Sequence, residues 1–276
     1  MSCLLQISDP HFGTEQPDVL RALERLCGAL APGLVVLSGD ITQRATVAQF
    51  AAARAFADRL GPPVLAIPGN HDIPLYQLAA RLFTPYARYR QAFGDDLEPV
   101  FESPEWLVVT VNTTRWYRHE DGAVSAAQVE RVAQRLATAL PSQVRVVVTH
   151  QPVMVTRTQD LGNRLHGRER AVARWSAAGA DLILGGHIHL PFVRPLHDAF
   201  AGCARTAWAV QAGTATSSRV RAGHPNSVNV VRTDMAEIAD GRRACRVERW
   251  DYMARDKAFG CAEVFGLSLA SEVARP

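Results

Sequence analysis

Residues Val64–Asp72 read Val-Leu-Ala-Ile-Pro-Gly-Asn-His-Asp, an apolar run that is followed, after Pro-Gly, by three polar side chains. The apolar run has the length of a buried strand, and the Pro-Gly pair is typical of a turn. Two earlier apolar runs, Leu4–Ile7 and Leu34–Leu37, also end close to an acidic residue. The stretch therefore predicts the third of three buried strands whose ends carry polar residues.

These polar residues recur about every 30 residues, at Asp9, Asp40 and Asn70, which is the length of a strand–helix–strand unit. The segments between them, 18–30 and 46–60, are predicted to be helices, the first from the helical spacing of its apolar residues and the second from its Ala-rich composition. Parallel strands joined by right-handed crossovers point the same way, so their carboxyl ends share one edge of the sheet. We therefore expect the three side chains to converge at that edge.

Residues 73–105 break this rhythm and are interpreted as an inserted cap over the sheet edge, helical over 73–93 with an interruption at Pro85. The strand–helix pattern then resumes, and late in the chain it gives way to β-rich runs separated by polar or Gly-rich connections. We expect an α/β fold in which two mixed β-sheets pack together with helices outside. Residues 1–253 are expected to form a single domain, and residues 254–276 a C-terminal tail.

The composition limits the classes of protein to which the chain can belong. Hydrophobic residues make up 47% of its 276 residues, so a large buried core is expected. A net charge of +3 is too small for a nucleic-acid-binding surface, so no nucleic-acid partner is expected. The five cysteines include no CxxC pair, which disfavours a disulfide framework and a thiolate zinc site. We recognise no secretory signal or membrane span and expect a cytoplasmic protein.

Five short clusters rich in His, Asp and Asn follow the predicted strands. They are Asp9-x-His11, Gly39-Asp40, Gly69-Asn70-His71-Asp72, His150 and Gly186-His187-Ile188-His189. Oxygen and imidazole ligands without thiolates suit divalent ions such as Mn, Fe or Zn. Two such ions about 3.5–4 Å apart can hold the attacking and the leaving oxygen of a phosphoryl displacement. Each cluster alone is common, but five of them at successive strand ends predict a two-metal phosphoesterase.

The order of these clusters resembles that of the calcineurin-like metallophosphoesterases, over roughly residues 3–232. It is most similar to their bacterial class III branch, which acts on cyclic nucleotides and glycerophosphodiesters. The resemblance implies a four-layer αββα sandwich and a site for two metal ions bridged by Asp40. The ligands that it implies are Asp9, His11, Asp40 and His189 for one ion, and Asp40, Asn70, His150 and His187 for the other.

The resemblance also implies a mechanism. A metal-bound hydroxide would attack phosphorus in line, because metal binding lowers the pKa of water to about 7. His71 would not be a ligand but would stabilise the oxyanion or protonate the leaving group, and Asp72 would orient the His71 imidazole. We therefore predict hydrolysis of a small phosphodiester, of the cyclic-nucleotide or glycerophosphodiester type.

Three residues outside the clusters are candidate substrate contacts: Asn112 and Arg115, which follow a strand, and His224 in a Gly-rich loop. An arginine offers a bidentate fork to phosphate, but a surface turn and an exposed loop histidine explain these residues about as well. The Tyr and Phe side chains of the insert could stack on a nucleobase, pack the cap or support a homodimer.

Two other functions remain open at this point. The same metal site serves phosphomonoesterases and nucleotide-sugar pyrophosphatases that act on lipid precursors. The lipid substrates would call for an apolar, membrane-facing insert, and residues 73–105 have a rather polar composition. The fold could instead serve as a non-catalytic metal-binding scaffold, although the complete ligand set together with His71 favours an enzyme.

Overall fold

A computed structural model describes residues 2–221, 223–233 and 244–270. Strands and helices alternate at the start of the chain, in the order β1 (Ser2–Ile7), α1 (Pro17–Leu30), β2 (Leu34–Ser38), α2 (Val47–Leu60) and β3 (Val64–Ile67). A short 3-10 helix, Asn70–Asp72, follows β3 directly. The predicted elements of this region agree with the structure to within one or two residues.

The region of the predicted insert contains two short helices and an edge strand, α3 (Leu78–Phe83), α4 (Ala87–Phe93) and β4 (Val100–Glu102). The two helices are separated around Pro85, since proline disfavours a helical residue before it and has no amide hydrogen to donate. The remaining elements are β5 (Trp106–Thr110), α5 (Ala126–Leu136), β6 (Val144–Val148), α6 (Arg168–Ala177), β7 (Leu182–Gly185), β8 (Phe192–Pro195), β9 (Trp208–Gln211), β10 (Ser227–Thr233), β11 (Ala244–Met253) and β12 (Ala258–Ser268).

The strands form two six-stranded mixed sheets, in the orders β12-β11-β10-β1-β2-β3 and β4-β5-β6-β7-β9-β8. Strands β1 to β3 are parallel, and so are β5, β6, β7 and β9. The antiparallel strands lie towards the edges. The first sheet is therefore parallel in one half, with β3 at its edge, and the second sheet is parallel in its centre. The carboxyl ends of these parallel strands carry the polar clusters.

The two sheets share an apolar core that contains Val36 and Ile67 of the first sheet and Val108 and Val146 of the second. Helices α1 and α2 pack against the first sheet through a second apolar cluster, and α5 and α6 pack against the second sheet through a third. The prediction of two packed mixed sheets flanked by helices is confirmed, and the layers have the order αββα.

The segment predicted as a C-terminal tail contains a strand. Strand β12 pairs with β11 along its whole length and forms an edge of the first sheet, whereas residues 271–276 lie outside the described part of the chain. Most residues at the centre of β12 are exposed, so this strand lacks the alternating burial from which strands are recognised. None of the helices in the described ranges has the length and apolar character needed to cross a membrane.

The chain turns sharply where the central strands end. A non-glycine residue in the left-handed region costs of order 1–3 kcal/mol, and such residues cluster at functional sites. Five of the seven predicted metal ligands adopt this region with φ between 46° and 73°, namely Asp9, His11, Asp40, His187 and His189. The fold therefore keeps these side chains in place against a local backbone cost.

Gly69 permits two of these turns to approach each other closely. A Cβ atom at this position would collide with the backbone nitrogen and with the carboxylate of Asp40. The φ angle of Gly69 is −101°, which any residue can adopt. Close packing, and not conformational freedom, therefore requires glycine at this position.

We expect Gly69→Ala to lower the free energy of unfolding by about 1–3 kcal/mol, because Asp40 must move to admit the added methyl group. Gly28 is a matched control, since it lies in α1 with open space around the position of its missing Cβ. Gly28→Ala should raise the free energy of unfolding by roughly 0.5–1 kcal/mol through its better helix propensity. Urea unfolding of both variants measures the difference, and an equal loss in the two would contradict the packing argument.

Candidate metal centre

Asp40 lies where the strand ends of the two sheets meet. Its buried carboxylate places Oδ2 3.8 Å from Nε2 of His11 and Oδ1 3.3 Å from Nε2 of His150. His11 follows β1 in the first sheet, and His150 follows β6 in the second. The side chain of Asp40 thus faces imidazoles from both sheets, which is the position that a bridging ligand requires.

A first group of potential ligands lies on the β1 side of Asp40 and consists of Asp9, His11 and His189. Nε2 of His189 lies 3.1 Å from Nε2 of His11 and 3.2 Å from Oδ1 of Asp9. Asp9 and His11 are fully buried. The backbone nitrogen of His187 donates to both oxygens of Asp9, which ties the last cluster of the sequence to the first.

A second group lies on the other side of Asp40 and contains His150 and His187. Oδ1 of Asn70 lies 3.2 Å from Nε2 of His150, so the amide of Asn70 belongs to the same group. Among the described residues, the buried Nδ1 atom of His187 has no hydrogen-bond partner. The two groups together contain all seven residues that the resemblance implied as ligands.

Backbone carbonyl groups orient two of these imidazoles. Nδ1–H of His150 donates to the carbonyl oxygen of Ser38 at 2.9 Å, and Nδ1–H of His189 donates to that of Arg219 at 2.7 Å. A carbonyl oxygen can only accept, so Nδ1 carries the proton, and Nε2 of each ring faces the carboxylates. Carbonyl groups orient the imidazoles of many metal sites in this way.

The pKa values reflect how closely these groups are packed. Burial alone would raise the pKa of Asp9, but the neighbouring His189 and His150 outweigh it and lower the pKa to about 2. Burial would lower the pKa of His150, whereas the adjacent Asp40 raises it to about 9. Burial and the charge of His150 lower the pKa of His187 to about 4. At neutral pH a metal ion would therefore find ionised carboxylates and a neutral His187, and would displace a proton from His150.

This donor set fits divalent cations. Imidazole lone pairs and carboxylate oxygens converge from several directions, and such a buried arrangement is stable only when positive charge lies among them. The buried Nδ1 of His187 has no hydrogen-bond partner among the described residues, and a contact with a metal ion would compensate for that missing hydrogen bond. The mixture of nitrogen and oxygen donors suits Mn, Fe or Zn better than Mg or Ca, which prefer oxygen alone.

His71 lies beside the first group, with its ring centroid 4.8 Å from that of His11. Its backbone nitrogen donates to Oδ1 of Asp40 at 2.8 Å. Its Nδ1–H donates to the carbonyl oxygen of Gln43 at 2.9 Å, which leaves Nε2 facing Arg219. His11, Asp40 and His71 also form a group that could hold a metal ion. The role of His71 as a residue that does not bind the metal therefore stays a prediction.

Asp72 does not orient the His71 imidazole in the structure, contrary to the sequence prediction. Its buried carboxylate accepts hydrogen bonds from the backbone nitrogens of Gly69, Ile41 and Thr42, and from the Thr42 hydroxyl. Burial and the charge of Asp40 raise the pKa of Asp72 to about 6. Asp72 therefore connects the loop after β2 with the loop after β3. The backbone carbonyl of Gln43, and not Asp72, accepts the hydrogen bond that orients the His71 imidazole.

Sequence reasoning missed Arg219. Its Nη1 lies 3.0 Å from Nε2 of His71 and 3.2 Å from Oε1 of Gln43, and its carbonyl oxygen orients His189. Arg219 lies in the same connection between β9 and β10 as His224, the residue that is predicted from the sequence as a candidate substrate contact. No local pattern distinguishes Arg219 from the neighbouring Arg221, whose guanidinium instead pairs with the buried Asp160.

The three predicted substrate contacts make other interactions in the structure. Arg115 donates to the backbone carbonyls of Asn112 and Thr114 and to the side chain of Gln128. The side chain of Asn112 accepts from the nitrogen and hydroxyl of Thr114. Both residues therefore support the loop after β5. Within the described ranges, the ring of His224 has one hydrogen-bond contact, with a guanidinium nitrogen of Arg157. A substrate role for these residues stays a prediction.

The sequence of residues 4–191 matches the model of the calcineurin-like phosphoesterase family. The chain belongs to this family. It is therefore a metallophosphoesterase, a hydrolase that depends on divalent metal ions, and the clustered ligands described above are where this metallophosphoesterase can hold them.

Several known proteins are similar to this metallophosphoesterase. A probable cyclic nucleotide phosphodiesterase of Synechococcus is 28% identical over 74% of the chain and 80% of its own length. A cAMP/cGMP dual specificity phosphodiesterase of Mycobacterium tuberculosis is 27% identical over 67% of the chain and 61% of its own length. A UDP-2,3-diacylglucosamine pyrophosphatase of Chlamydia trachomatis is 23% identical over 68% of the chain and 63% of its own length. The match thus spans less than two thirds of the latter two proteins.

Solved structures confirm the fold. A dimetal phosphatase from Danio rerio has a TM-score of 0.65 at 13% identity, and covers 98% of this chain and 99% of its own. The purple acid phosphatase from yellow lupin has a TM-score of 0.70 at 14% identity, and covers 97% of this chain but 53% of its own. At such low identity the likeness concerns the fold alone.

We expect Asp40→Ala and His71→Ala to separate metal binding from proton transfer. Asp40→Ala should lose bound metal and at least ~10³-fold in rate, since the cations contribute several kcal/mol to the transition state. His71→Ala should retain the metal and lose roughly 10²–10⁴-fold in rate, the usual contribution of a general acid or base. Elemental analysis of the purified chain and steady-state phosphoester hydrolysis measure the two properties.

His166→Ala is the control for this pair, because His166 is an exposed histidine outside the clusters. It should keep both metal content and rate. Loss of both ions from His71→Ala would show that His71 is a ligand and would refute the division of roles.

Proposed function

We propose that this metallophosphoesterase is a phosphodiesterase that hydrolyses small diesters, of the cyclic-nucleotide or glycerophosphodiester type, with two divalent metal ions. The observation that carries the proposal is the pair formed by His71 and Arg219 beside the ligand cluster, with Nε2 and Nη1 3.0 Å apart. A diester has a poor alkoxide leaving group and a charged phosphate, so its hydrolysis needs both a proton donor and a fixed positive charge.

The proposed ligands divide as the sequence implied. Asp9, His11 and His189 would hold one ion, Asn70, His150 and His187 would hold the other, and Asp40 would be shared by both. When bound, the ions would lower the pKa of water and offset negative charge on the phosphate. The carbonyl groups of Ser38 and Arg219 keep the lone pairs of His150 and His189 directed at these positions.

His71 would exchange a proton with the ester at Nε2, since Nδ1–H is held by the carbonyl of Gln43. The backbone nitrogen of His71 is fixed to Asp40, so the imidazole keeps a constant position relative to the proposed bridge. The guanidinium of Arg219 would leave His71 and bind a phosphate oxygen, for which its planar fork is well suited. Substrate binding would thereby free Nε2 of His71 for proton transfer.

Two of the similar proteins are named as cyclic nucleotide phosphodiesterases, which supports a diester substrate. The pyrophosphatase relative supports a second candidate, hydrolysis of a phosphoanhydride at the same metal site. The two reactions differ in their leaving groups. A phosphate leaving group needs no proton from His71, whereas the alkoxide of an alkyl ester does.

The substrate class can be tested by a comparison of rates with Mn²⁺, Fe²⁺ or Zn²⁺. We expect hydrolysis of bis(p-nitrophenyl) phosphate, cyclic AMP or glycerophosphodiesters to exceed that of p-nitrophenyl phosphate and of a nucleotide-sugar diphosphate. Folded, metal-loaded protein that hydrolyses only the monoester or only the diphosphate would refute the proposal. The His71→Ala variant should lose more activity on an alkyl diester than on the p-nitrophenyl diester, whose leaving group needs little protonation.

We expect Arg219→Ala to reduce kcat by roughly 10²–10³-fold, the usual effect of the removal of one preorganised donor from a phosphate or an oxyanion. Metal content should be unchanged, because the backbone carbonyl that orients His189 remains. Arg219→Lys should recover part of the rate, since lysine keeps the charge but not the fork. Arg59, which pairs with Glu24 on the outer helices, provides the control variant Arg59→Ala, and equal rates for the two alanine variants would exclude a role of Arg219.

A further inference from the structure

Helix α3 is unusual because none of its residues is buried. Its apolar side chains are among the most exposed of the described residues, with Leu82 at 51% and Phe83 at 82%. Tyr76 precedes the helix, and Trp116 and Tyr117 lie in the loop after β5, and all three are exposed as well. We refer to Tyr76, Leu78, Leu82, Phe83, Trp116 and Tyr117 as the cap face.

The two segments of the cap face are joined to each other. The guanidinium of Arg81 donates to the carbonyl of Pro74 and, at 2.6 Å, to that of Arg118. The hydroxyl of Tyr86 lies 2.8 Å from that of Thr114. The exposed apolar side chains are therefore presented by one connected part of the surface and are not scattered singly, as is normal on a soluble protein.

The helical segment of the cap face is basic, whereas the loop after β5 carries Glu120 and Asp121 next to Arg118 and His119. Residues 74–93 contain three arginines and no acidic residue. Arg81 and Arg88 donate to carbonyl oxygens and to an amide, and Arg44 lies over the ring of Tyr76 at 5.4 Å from its centroid. In the part of the chain that the structure describes, neither these three nor Arg90 forms an ion pair with a carboxylate.

The cap face also adjoins the metal centre. A small cleft beside His71 is lined by Leu75 and His119, which directly precede Tyr76 and follow Arg118 in the chain. The walls of the cleft thus continue into the two segments that carry the exposed apolar side chains. A surface against which the cap face docks would lie at the mouth of the site.

We propose that the cap face docks onto the surface of an anionic lipid bilayer. Exposed Leu and Phe side chains can enter the acyl boundary, Trp and Tyr favour the headgroup region, and arginines attract anionic headgroups. A second copy of the chain is the less favourable occupant, because a symmetric contact would place the arginines of residues 74–93 opposite each other. The polar composition of residues 73–105 does not predict this surface. Polar and apolar residues alternate irregularly in this segment, and only the fold shows that several of the apolar ones are exposed.

Binding to vesicles tests the proposal without any substrate, so the result does not depend on the proposed phosphodiesterase activity. The full chain should co-sediment with vesicles of phosphatidylcholine that contain phosphatidylglycerol, and at least ~10-fold less with vesicles of phosphatidylcholine alone. A rise from low to high salt should weaken the binding, because the headgroup attraction is screened. Absence of binding to the anionic vesicles, or equal binding to both kinds, would overturn the proposal.

The variant Leu82→Ser/Phe83→Ser should reduce the vesicle-bound fraction by at least ~10-fold, through the loss of two large apolar side chains from the contact. Leu140→Ser is the matched control, because Leu140 is 52% exposed and lies after α5 outside the cap face. Both proteins should keep the urea unfolding midpoint of the unmodified chain, which confirms that they are folded. A concentration-dependent dimer that the double variant abolishes, in a chain that does not bind vesicles, would assign the cap face to a second copy instead.

Discussion

The arrangement of the whole site depends on the position of one buried carboxylate, that of Asp40. It lies at the end of β2, faces His11 on one side and His150 on the other, and its Oδ1 accepts the backbone hydrogen of His71. A buried negative charge of this kind is stable only if positive charge surrounds it. The packing of the two sheets brings imidazoles to this carboxylate from both sides, and the site therefore forms at their common edge.

The geometry around Asp40 has a cost in backbone conformation, which neighbouring contacts offset. Asp40 itself adopts a left-handed conformation, and Gly69 makes room for its backbone nitrogen. The carboxylate of Asp72 accepts four hydrogen bonds from the two loops that carry Asp40 and Asn70. Asp72 is thus a structural member of the Gly-Asn-His-Asp cluster, and its proximity to His71 in the sequence does not imply contact between the two side chains.

The sequence predicts the features that local patterns encode. The central strands are short apolar runs, each followed by a polar residue, and the parallel rule then brings Asp9, Asp40 and Asn70 together without any knowledge of the structure. Features that depend on long-range pairing escape such reasoning. Strand β12 is exposed along most of its length, and the β-rich pattern late in the chain does not reveal that β9 runs parallel to β7. Arg219 reaches His71 from 148 residues away, and nothing in its own loop indicates this contact.

The proposed metal ligands and the proposed substrate contact Arg219 come from different parts of the fold. The proposed ligands follow the ends of parallel strands that are paired within the two sheets, and this rigidity suits a site that must hold several lone pairs within a narrow range of distances. Arg219 and the cap face lie on loops and short helices, whose positions are set by a few contacts such as those of Arg81 and Tyr86. Substitutions in these segments can alter what the enzyme binds without movement of a ligand. Substitutions can therefore alter metal binding and substrate binding separately.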